Sequence, residues 1–250
     1  MTIKILKLLF IFVLLPLYIS GLVSCATEDK KADTPEGAYK IAKEFEEADR
    51  YEVALQKYAD VKNKFPYSSY AVLAELAVAD VQYKRESYAE AQIAYQNFRD
   101  LHPKHPKIDY VIFRIGMSYY LQLPDSVDRD LSLAQDAIYA FDEVIKNFPN
   151  SENVKTAREN REKVYIMLVE KELYIADFYF KQEMYDSALT RYEMAYNKYP
   201  GFGYDPRSLM GAIRSADKAS ELKKRRQFTS ILLSKFSQSD EAKTIKKEGL

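Results

Sequence analysis

The sequence predicts an all-α protein, an α-solenoid of about five helix pairs and therefore about ten helices. One observation is a phrase that recurs four times: a small residue, an aromatic residue four places later, and a proline eight places after that. A constant spacing inside each copy, with a variable distance between copies, is typical of helical repeats. The other is composition, since 7 Gly among 250 residues, with many Ala, Lys and Glu, favours helices over sheets.

The recurring phrase has the properties of a packed helix that ends at its proline. Its four copies are Ala54, Tyr58 and Pro66; Ala91, Tyr95 and Pro103; Ala137, Phe141 and Pro149; and Ala188, Tyr192 and Pro200. The small and aromatic residues lie on one helix face, where the small side chain admits a neighbouring helix. Proline ends the helix because it lacks the N–H and clashes with the preceding turn. The phrase resembles the second helix of a tetratricopeptide (TPR) repeat.

The helix pairs follow in order after a polar tether. Thr34 and Pro35 are a helix start, an N-cap followed by proline at the first helical position. We expect pairs at about 35–49 and 51–65, 69–85 and 88–101, 107–123 and 131–147, 152–182 and 184–199, and 206–220 and 223–236. The fifth pair lacks the alanine and proline of the phrase, which suits the polar terminal repeat that caps a solenoid.

The first helix of the fourth pair, about 152–182, is much longer than the others. Together with the connection around 124–131, it accounts for the long step between Gly116 and Ala176, which are successive small positions of the first helices. We expect this helix to join an N-terminal TPR half, residues 34–123, to a C-terminal TPR half, residues 124–250. The two halves are predicted to have different functions.

Residues 1–24 have the pattern of a lipoprotein signal peptide. Lys4 and Lys7 precede an apolar run, Leu8 to Ile19, which is shorter than the roughly 20 residues of a membrane-spanning helix. The following Leu-Val-Ser-Cys, which ends at Cys25, resembles the bacterial lipobox. The alternative is a plain signal peptide followed by an incidental cysteine.

The lipobox resemblance implies cleavage before Cys25, diacylglycerol on its sulfur and an N-acyl chain such as palmitate. Residues 25–33 would then form a lipidated tether, polar and without periodicity. Ala26 follows the cysteine, where an Asp would favour retention in the inner membrane in enterobacterial-type sorting. The expected location is therefore the outer membrane, with the folded domain in the periplasm.

The composition argues against catalysis, metal binding and nucleic-acid binding. Lys+Arg and Asp+Glu number 37 each, so no strong field favours nucleic acid. His102 and His105 have a metal-like spacing, but they lie in a proline-rich turn and no further His or second Cys completes a site. No zincin, nucleophile-elbow or phosphate-loop motif is present. We predict no catalytic residue, no metal and no cofactor beyond the covalent lipid on Cys25.

Binding is the remaining function, and the first helices of TPR pairs line the concave face. The repeat frame places ten residues there: Tyr39, Lys43, Leu76, Asp80, Tyr83, Lys84, Tyr110, Phe113, Met117 and Tyr120. Aromatic and Met side chains beside a few charges suit an extended apolar peptide. The alternative for several of them is ordinary packing between helices.

Three further segments carry a family resemblance. They are His105–Val111 (HPKIDYV), Asp128–Asp130 before the next helix, and Phe148–Ser151 before the long helix. With the lipobox and the five-repeat layout, the chain resembles the BamD family, the TPR lipoproteins of the β-barrel assembly machinery. The resemblance covers about residues 34–200 and weakens afterwards. The connection at 124–131 is shorter than in some members of the family.

The resemblance implies a non-catalytic scaffold of the complex that folds and inserts outer-membrane β-barrels. The C-terminal half would dock the periplasmic POTRA domain of the central subunit, BamA, and the N-terminal half would receive the signal strand of unfolded outer-membrane proteins. Accessory lipoproteins are possible partners. Arg191 matches a basic residue that the family pairs with a POTRA carboxylate. The alternative for Arg191 is a surface pair within its own helix, with Asp186 or near Glu193.

Two other functions stay open at this point. One is a periplasmic TPR lipoprotein that acts as an adaptor for cell-wall or division enzymes, or for a protease. The other is a hydrolase on a TPR scaffold, which the missing catalytic motifs disfavour.

Overall fold

The structure, a computed structural model, describes residues 32–250, and within that range all regular secondary structure is helical. The helices are α1 Pro35–Glu47, α2 Tyr51–Lys64, α3 Ser69–Lys84, α4 Tyr88–Leu101, α5 Ile108–Leu121, α6 Ala134–Asn147, α7 Val154–Lys181, α8 Tyr185–Lys198, α9 Asp205–Lys218, α10 Leu222–Lys235 and α11 Asp240–Glu248. The all-α, TPR-type prediction is confirmed, and each of the ten predicted helices lies within about three residues of its expected ends. Helix α11 was not predicted. The predicted signal peptide, Cys25 and most of the tether lie outside the described residues.

The helix starts follow the sequence signals where a capping side chain is available. Thr34 accepts a hydrogen bond from the backbone N–H of Gly37 at 3.1 Å, and Pro35 occupies the first turn. Ser68 caps α3 through the N–H of Tyr70, also at 3.1 Å. These bonds satisfy amide groups that a helix leaves without intrahelical partners.

A common left-handed turn follows the first helix of four pairs. Asp49, Glu86, Glu183 and Ser220 have φ between 55° and 62°. In each turn the next residue donates its N–H to a carbonyl five residues back, as Met184 does to Tyr179 at 3.0 Å. This closes the helix end and reverses the chain. The third pair instead has the longer connection between α5 and α6.

The described chain divides into two compact units between Ser87 and Tyr88. The functional division predicted between residues 123 and 124 is a different boundary, and it stays a prediction. In the first unit α2 packs against both α1 and α3. Its core contains Ala42, Ala54, Tyr58, Val61, Ala74, Ala77 and Val81. The alanine and tyrosine of the first phrase are thus core residues.

The second unit, residues 88–250, contains α4 to α11, and α7 takes part in two of its hydrophobic clusters. Val164 belongs to a cluster with residues of α5 and α6, including Phe113 and Phe141. Leu173 belongs to a second cluster with residues of α8 to α11. The 28 residues of α7 therefore span two successive groups of helices.

Gly116 explains why a small residue recurs in the first helices. A Cβ at Gly116 would lie 2.8 Å from Cε1 of Phe141 and 3.2 Å from Cβ of Ala140. Glycine therefore lets α5 approach the aromatic residue of the phrase on α6. This is close packing of the kind that the recurring small and aromatic residues predicted.

Candidate functional site

Five of the predicted peptide-binding residues lie in the first unit and remain at least partly accessible. We call Tyr39, Lys43, Asp80, Tyr83 and Lys84 the first-unit patch. The ring of Tyr39 lies 5.4 Å from that of Tyr58 and 5.7 Å from that of Tyr70, measured between centroids. Burial, and then the negative charges of Glu46 and Asp80, raise the pKa of Tyr39 above its ordinary value.

The carboxylate of Glu46 forms an ion pair with Lys84 of this patch. Glu46 also accepts a hydrogen bond from the Tyr58 hydroxyl at 2.6 Å. Its side chain is only 10% exposed, whereas that of Lys84 is 53% exposed. Lys43 is exposed and pairs with Glu47 at 3.7 Å within α1. The patch therefore combines two tyrosines with charged side chains of both signs.

Three predicted residues form a second-unit patch: Tyr110, Met117 and Tyr120. The Tyr110 ring packs edge-on against Tyr95, with centroids 6.4 Å apart, and the Arg114 guanidinium lies 5.1 Å from its centroid. Asn160 donates to the Met117 sulfur at 3.3 Å. Tyr120 lines an open cavity of about 310 Å³ together with Leu121, Leu123, Pro124, Asp125 and Met167. Of the three patch residues, Tyr120 is the one that lines this cavity.

Leu76 and Phe113 are not on an accessible face. They are 4% and 8% exposed, and the Phe113 ring packs against Phe141 with centroids 6.3 Å apart. The expectation that both side chains line an accessible groove is wrong. The repeat frame predicts the direction in which a side chain points, but it does not predict whether neighbouring helices bury that side chain. Both are core residues.

Arg191, the predicted docking residue, is half-buried and pairs between two helices. Its Nη1 donates to Oε2 of Glu172 on α7 at 3.0 Å. The Glu172 side chain is 14% exposed, against 35% for Arg191. The alternative of a pair within α8 is not what the structure shows. About a third of the Arg191 side chain stays accessible from solvent.

The two histidines pack against the end of α4. The Phe98 ring centroid lies 4.8 Å from that of His102 and 5.1 Å from that of His105. Burial, and then the charges of His102 and Lys107, lower the pKa of His105. Within residues 32–250 no three His, Cys, Asp or Glu side chains come together as a metal site would require. In the same range no helix is both long and apolar enough to cross a bilayer.

Sequence reasoning missed a polar group around Asp177 of α7. Asp177 accepts from the Tyr192 hydroxyl and from Nη2 of Arg207, the latter at 2.8 Å. With Arg214 these residues line a second cavity. Arg207 and Arg214 lie seven residues, or about two turns, apart on α9, and this spacing was the signal that could have revealed them.

Comparisons with known proteins agree with this architecture. The family model described as "YfiO: Outer membrane lipoprotein" matches residues 31–229. The outer membrane protein assembly factor BamD of Neisseria gonorrhoeae is 29% identical over 217 residues, which cover 81% of each chain. Its counterpart in Caulobacter vibrioides is 25% identical over 162 residues, 65% of this chain and 53% of that protein. For Vibrio cholerae the identity is 25% over 156 residues, 59% of this chain and 65% of that protein.

These matches confirm the predicted resemblance to the BamD family. The family model spans far more than half of the 250 residues and includes α1 to α9 and the first half of α10. The chain therefore belongs to the YfiO family of outer membrane lipoproteins.

Proposed function

We propose that this protein is a lipid-anchored periplasmic scaffold for the assembly of outer-membrane β-barrel proteins. The observation that carries the proposal is the family match over residues 31–229, together with relatives named as outer membrane protein assembly factors. A helical-repeat fold offers extended binding surfaces and supports a role without catalysis. The scaffold would dock the central barrel subunit and receive unfolded barrel proteins.

Docking is assigned to Arg191 of the C-terminal half. A guanidinium can hold a carboxylate through two parallel hydrogen bonds, and partial desolvation at an interface strengthens them. In the free protein Glu172 forms an ion pair with this side chain, and a partner carboxylate would compete with it. Because the side chain is partly exposed, its guanidinium would meet a carboxylate of the POTRA domain.

Binding of the unfolded substrate is assigned to the first-unit patch and to the second-unit patch, and each is treated as a site of its own. Tyr110→Ala removes a half-buried aromatic ring, so we expect a labelled peptide with an amphipathic, aromatic-terminated strand to bind several-fold more weakly. Fluorescence anisotropy measures this, with circular dichroism as the check on folding. The control is Tyr67→Ala, which removes a tyrosine ring that is fully exposed and lies outside both patches. Equal binding of both variants would exclude Tyr110 from the site.

Phe113→Ala is a poor test of peptide binding, because Phe113 is a core residue. Truncating a buried phenylalanine costs about 3–5 kcal/mol of folding free energy. Weaker binding by that variant would report lost stability as much as lost contact.

The anchor is assigned to Cys25. Cys25→Ala removes the sulfur that would carry the diacylglycerol, so the protein should fold normally and leave the membrane fraction. Fractionation with immunoblotting measures this. Retention of the variant in membranes at the wild-type level would overturn the lipoprotein assignment.

The function itself is tested by affinity purification from detergent-solubilised membranes, followed by mass spectrometry of the partners. We expect an outer-membrane barrel protein with periplasmic domains, and accessory lipoproteins with it. Enrichment of cell-wall enzymes, or of a protease, without any barrel protein would favour the adaptor function and contradict the proposal.

A further inference from the structure

A cavity of about 220 Å³ opens between α7, α8 and α9, and none of the residues predicted from the sequence to bind a peptide lines it. Its lining residues are Asp177, Phe180, Tyr192, Arg207, Met210, Gly211 and Arg214. Apolar and aromatic walls thus lie beside two guanidinium groups. Such a mixture suits a ligand with an apolar part and a negative charge.

Gly211 gives the cavity its shape. A Cβ at this position would lie 2.4 Å from Cε1 and 2.6 Å from Cζ of Tyr192. Without that carbon, the Tyr192 ring lies directly against the backbone of α9. The ring forms a flat wall of the cavity, and any larger residue at Gly211 would displace it.

The two arginines have different partners. Asp177, the acidic residue of the lining, accepts from both the Tyr192 hydroxyl and Arg207. Arg207 is therefore matched by a carboxylate of the cavity itself. The positive charge of Arg214 has no such counterpart among the lining residues.

Arg214 is matched instead by a carboxylate from the last helix. Its Nε donates to Oε2 of Glu248 at 3.1 Å, and its Nη2 donates to Oε1 of the same side chain. Ala242 and Ile245 of α11 are fully buried, so the helix is attached through its apolar residues. Glu248 lies one turn further on, at the exposed end of α11. The structure thus shows Arg214 in the two-pronged geometry that binds a carboxylate.

The pair between Arg214 and Glu248 can be displaced. Both side chains are 36% exposed, and exposed ion pairs typically contribute little to stability. An incoming carboxylate would exchange one such pair for another while adding apolar contact in the cavity. The surrounding charge favours this exchange, since residues 205–250 contain eleven Lys and Arg against six Asp and Glu.

We propose that this cavity is a binding site for an acidic peptide segment of a partner protein, in which a carboxylate neighbours an apolar or aromatic side chain. Arg214 binds the carboxylate, and the walls formed by Phe180, Tyr192 and Met210 receive the apolar side chain. Glu248 occupies Arg214 in the free protein and competes with the ligand. Neither Arg191 nor any residue of the two patches lines the site.

The test uses a pair of small probes that differ only in charge, N-acetyl-L-phenylalanine and its amide. Their dissociation constants are measured by NMR titration of the full chain. We expect Glu248→Gln to bind the acid at least threefold more tightly than wild type, because the internal competitor is gone. Arg214→Gln should bind it at least tenfold more weakly than Glu248→Gln. The amide should bind weakly to all three proteins.

Arg226→Gln, an exposed arginine on α10, is the matched control and should behave as wild type. Equal affinity for acid and amide would overturn the proposal, as would an Arg214→Gln variant that binds the acid like wild type. A Glu248→Gln variant no tighter than wild type would also overturn it. None of these results depends on whether the protein docks a barrel subunit, because only small probes are used.

Discussion

Glu46 is the residue at which helices α1, α2 and α3 of the first unit meet. It lies on α1, accepts from Tyr58 of α2 and pairs with Lys84 of α3. A carboxylate with such low exposure is tolerated because both of its partners satisfy it. Sequence reasoning placed Tyr58 in the core through the repeat phrase but did not identify the carboxylate that its hydroxyl meets.

This geometry predicts how stability changes at alkaline pH. Burial, and then the hydrogen bond to Glu46, raise the pKa of Tyr58 above its ordinary 10.0. The unfolded chain therefore ionises first, so the contribution of Tyr58 is complete below pH 10 and is lost as the pH rises further. Between pH 8 and pH 11, wild type should lose up to about 1.4 kcal/mol more of its unfolding free energy than Tyr58→Phe does.

Urea unfolding at the two pH values measures the difference. At pH 8 Tyr58→Phe should already be about 1–3 kcal/mol less stable, since a hydrogen bond to a charged group is lost. Tyr67→Phe changes a fully exposed ring and should follow wild type at both pH values. If the unfolding free energy of Tyr58→Phe had the same pH dependence as that of wild type, the pKa of Tyr58 would be the same in the folded and unfolded protein, which contradicts the prediction.

At the scale of the elements, the repeated left-handed turns carry a measurable strain. For a residue other than glycine, steric strain in this conformation lowers the folding stability by about 1–2 kcal/mol. Glycine avoids the strain, but ordering its more flexible backbone costs about 0.5–1 kcal/mol relative to alanine. Glu183→Gly should therefore raise the unfolding free energy by up to about 1 kcal/mol. Gln182 next to it has φ −84°, so Gln182→Gly should lower it.

Thermal unfolding followed by circular dichroism compares the two glycine variants. The expected order of melting temperatures is Glu183→Gly, wild type, Gln182→Gly. Equal destabilisation by both would mean that the turn stores no strain at Glu183.

The helices were predictable because each phrase contains its own packing face and stop signal. The four left-handed turns were not, because Asp, Glu and Ser occupy them and no glycine marks the position. Helix α11 was missed because only two of its nine residues are buried and apolar. Ser239 as N-cap, Asp240 and Glu241 in the first turn and Gly249 after the end were the signals available for it.

The candidate site was only partly predictable for a related reason. The directions of Tyr39 and Tyr110 follow from helical periodicity alone, and both are partly accessible. Leu76 and Phe113 are buried because other helices cover them. That covering depends on tertiary packing, which helical periodicity does not predict. The pairing of Arg191 with Glu172 also joins residues 19 positions apart on different helices, beyond any local pattern.

At the scale of the whole molecule, Arg191 is the residue proposed to dock the protein to the barrel subunit. Arg191 could bind the partner, or it could serve only the ion pair with Glu172 inside the protein. Two variants distinguish these roles, because each removes one side chain of that ion pair. Glu172→Gln leaves the guanidinium in place and removes its internal competitor. Arg191→Gln removes the group that would meet the partner.

The most direct measurement is the affinity of each full-length variant for the purified barrel subunit, in detergent, by biolayer interferometry. Losing one side of an interfacial charge pair costs about 2–5 kcal/mol, or roughly 30- to 5,000-fold in Kd. The account predicts such a loss for Arg191→Gln and an unchanged or tighter Kd for Glu172→Gln. If both variants weaken binding equally, or if Arg191→Gln stays within threefold of wild type, Arg191 does not dock the partner.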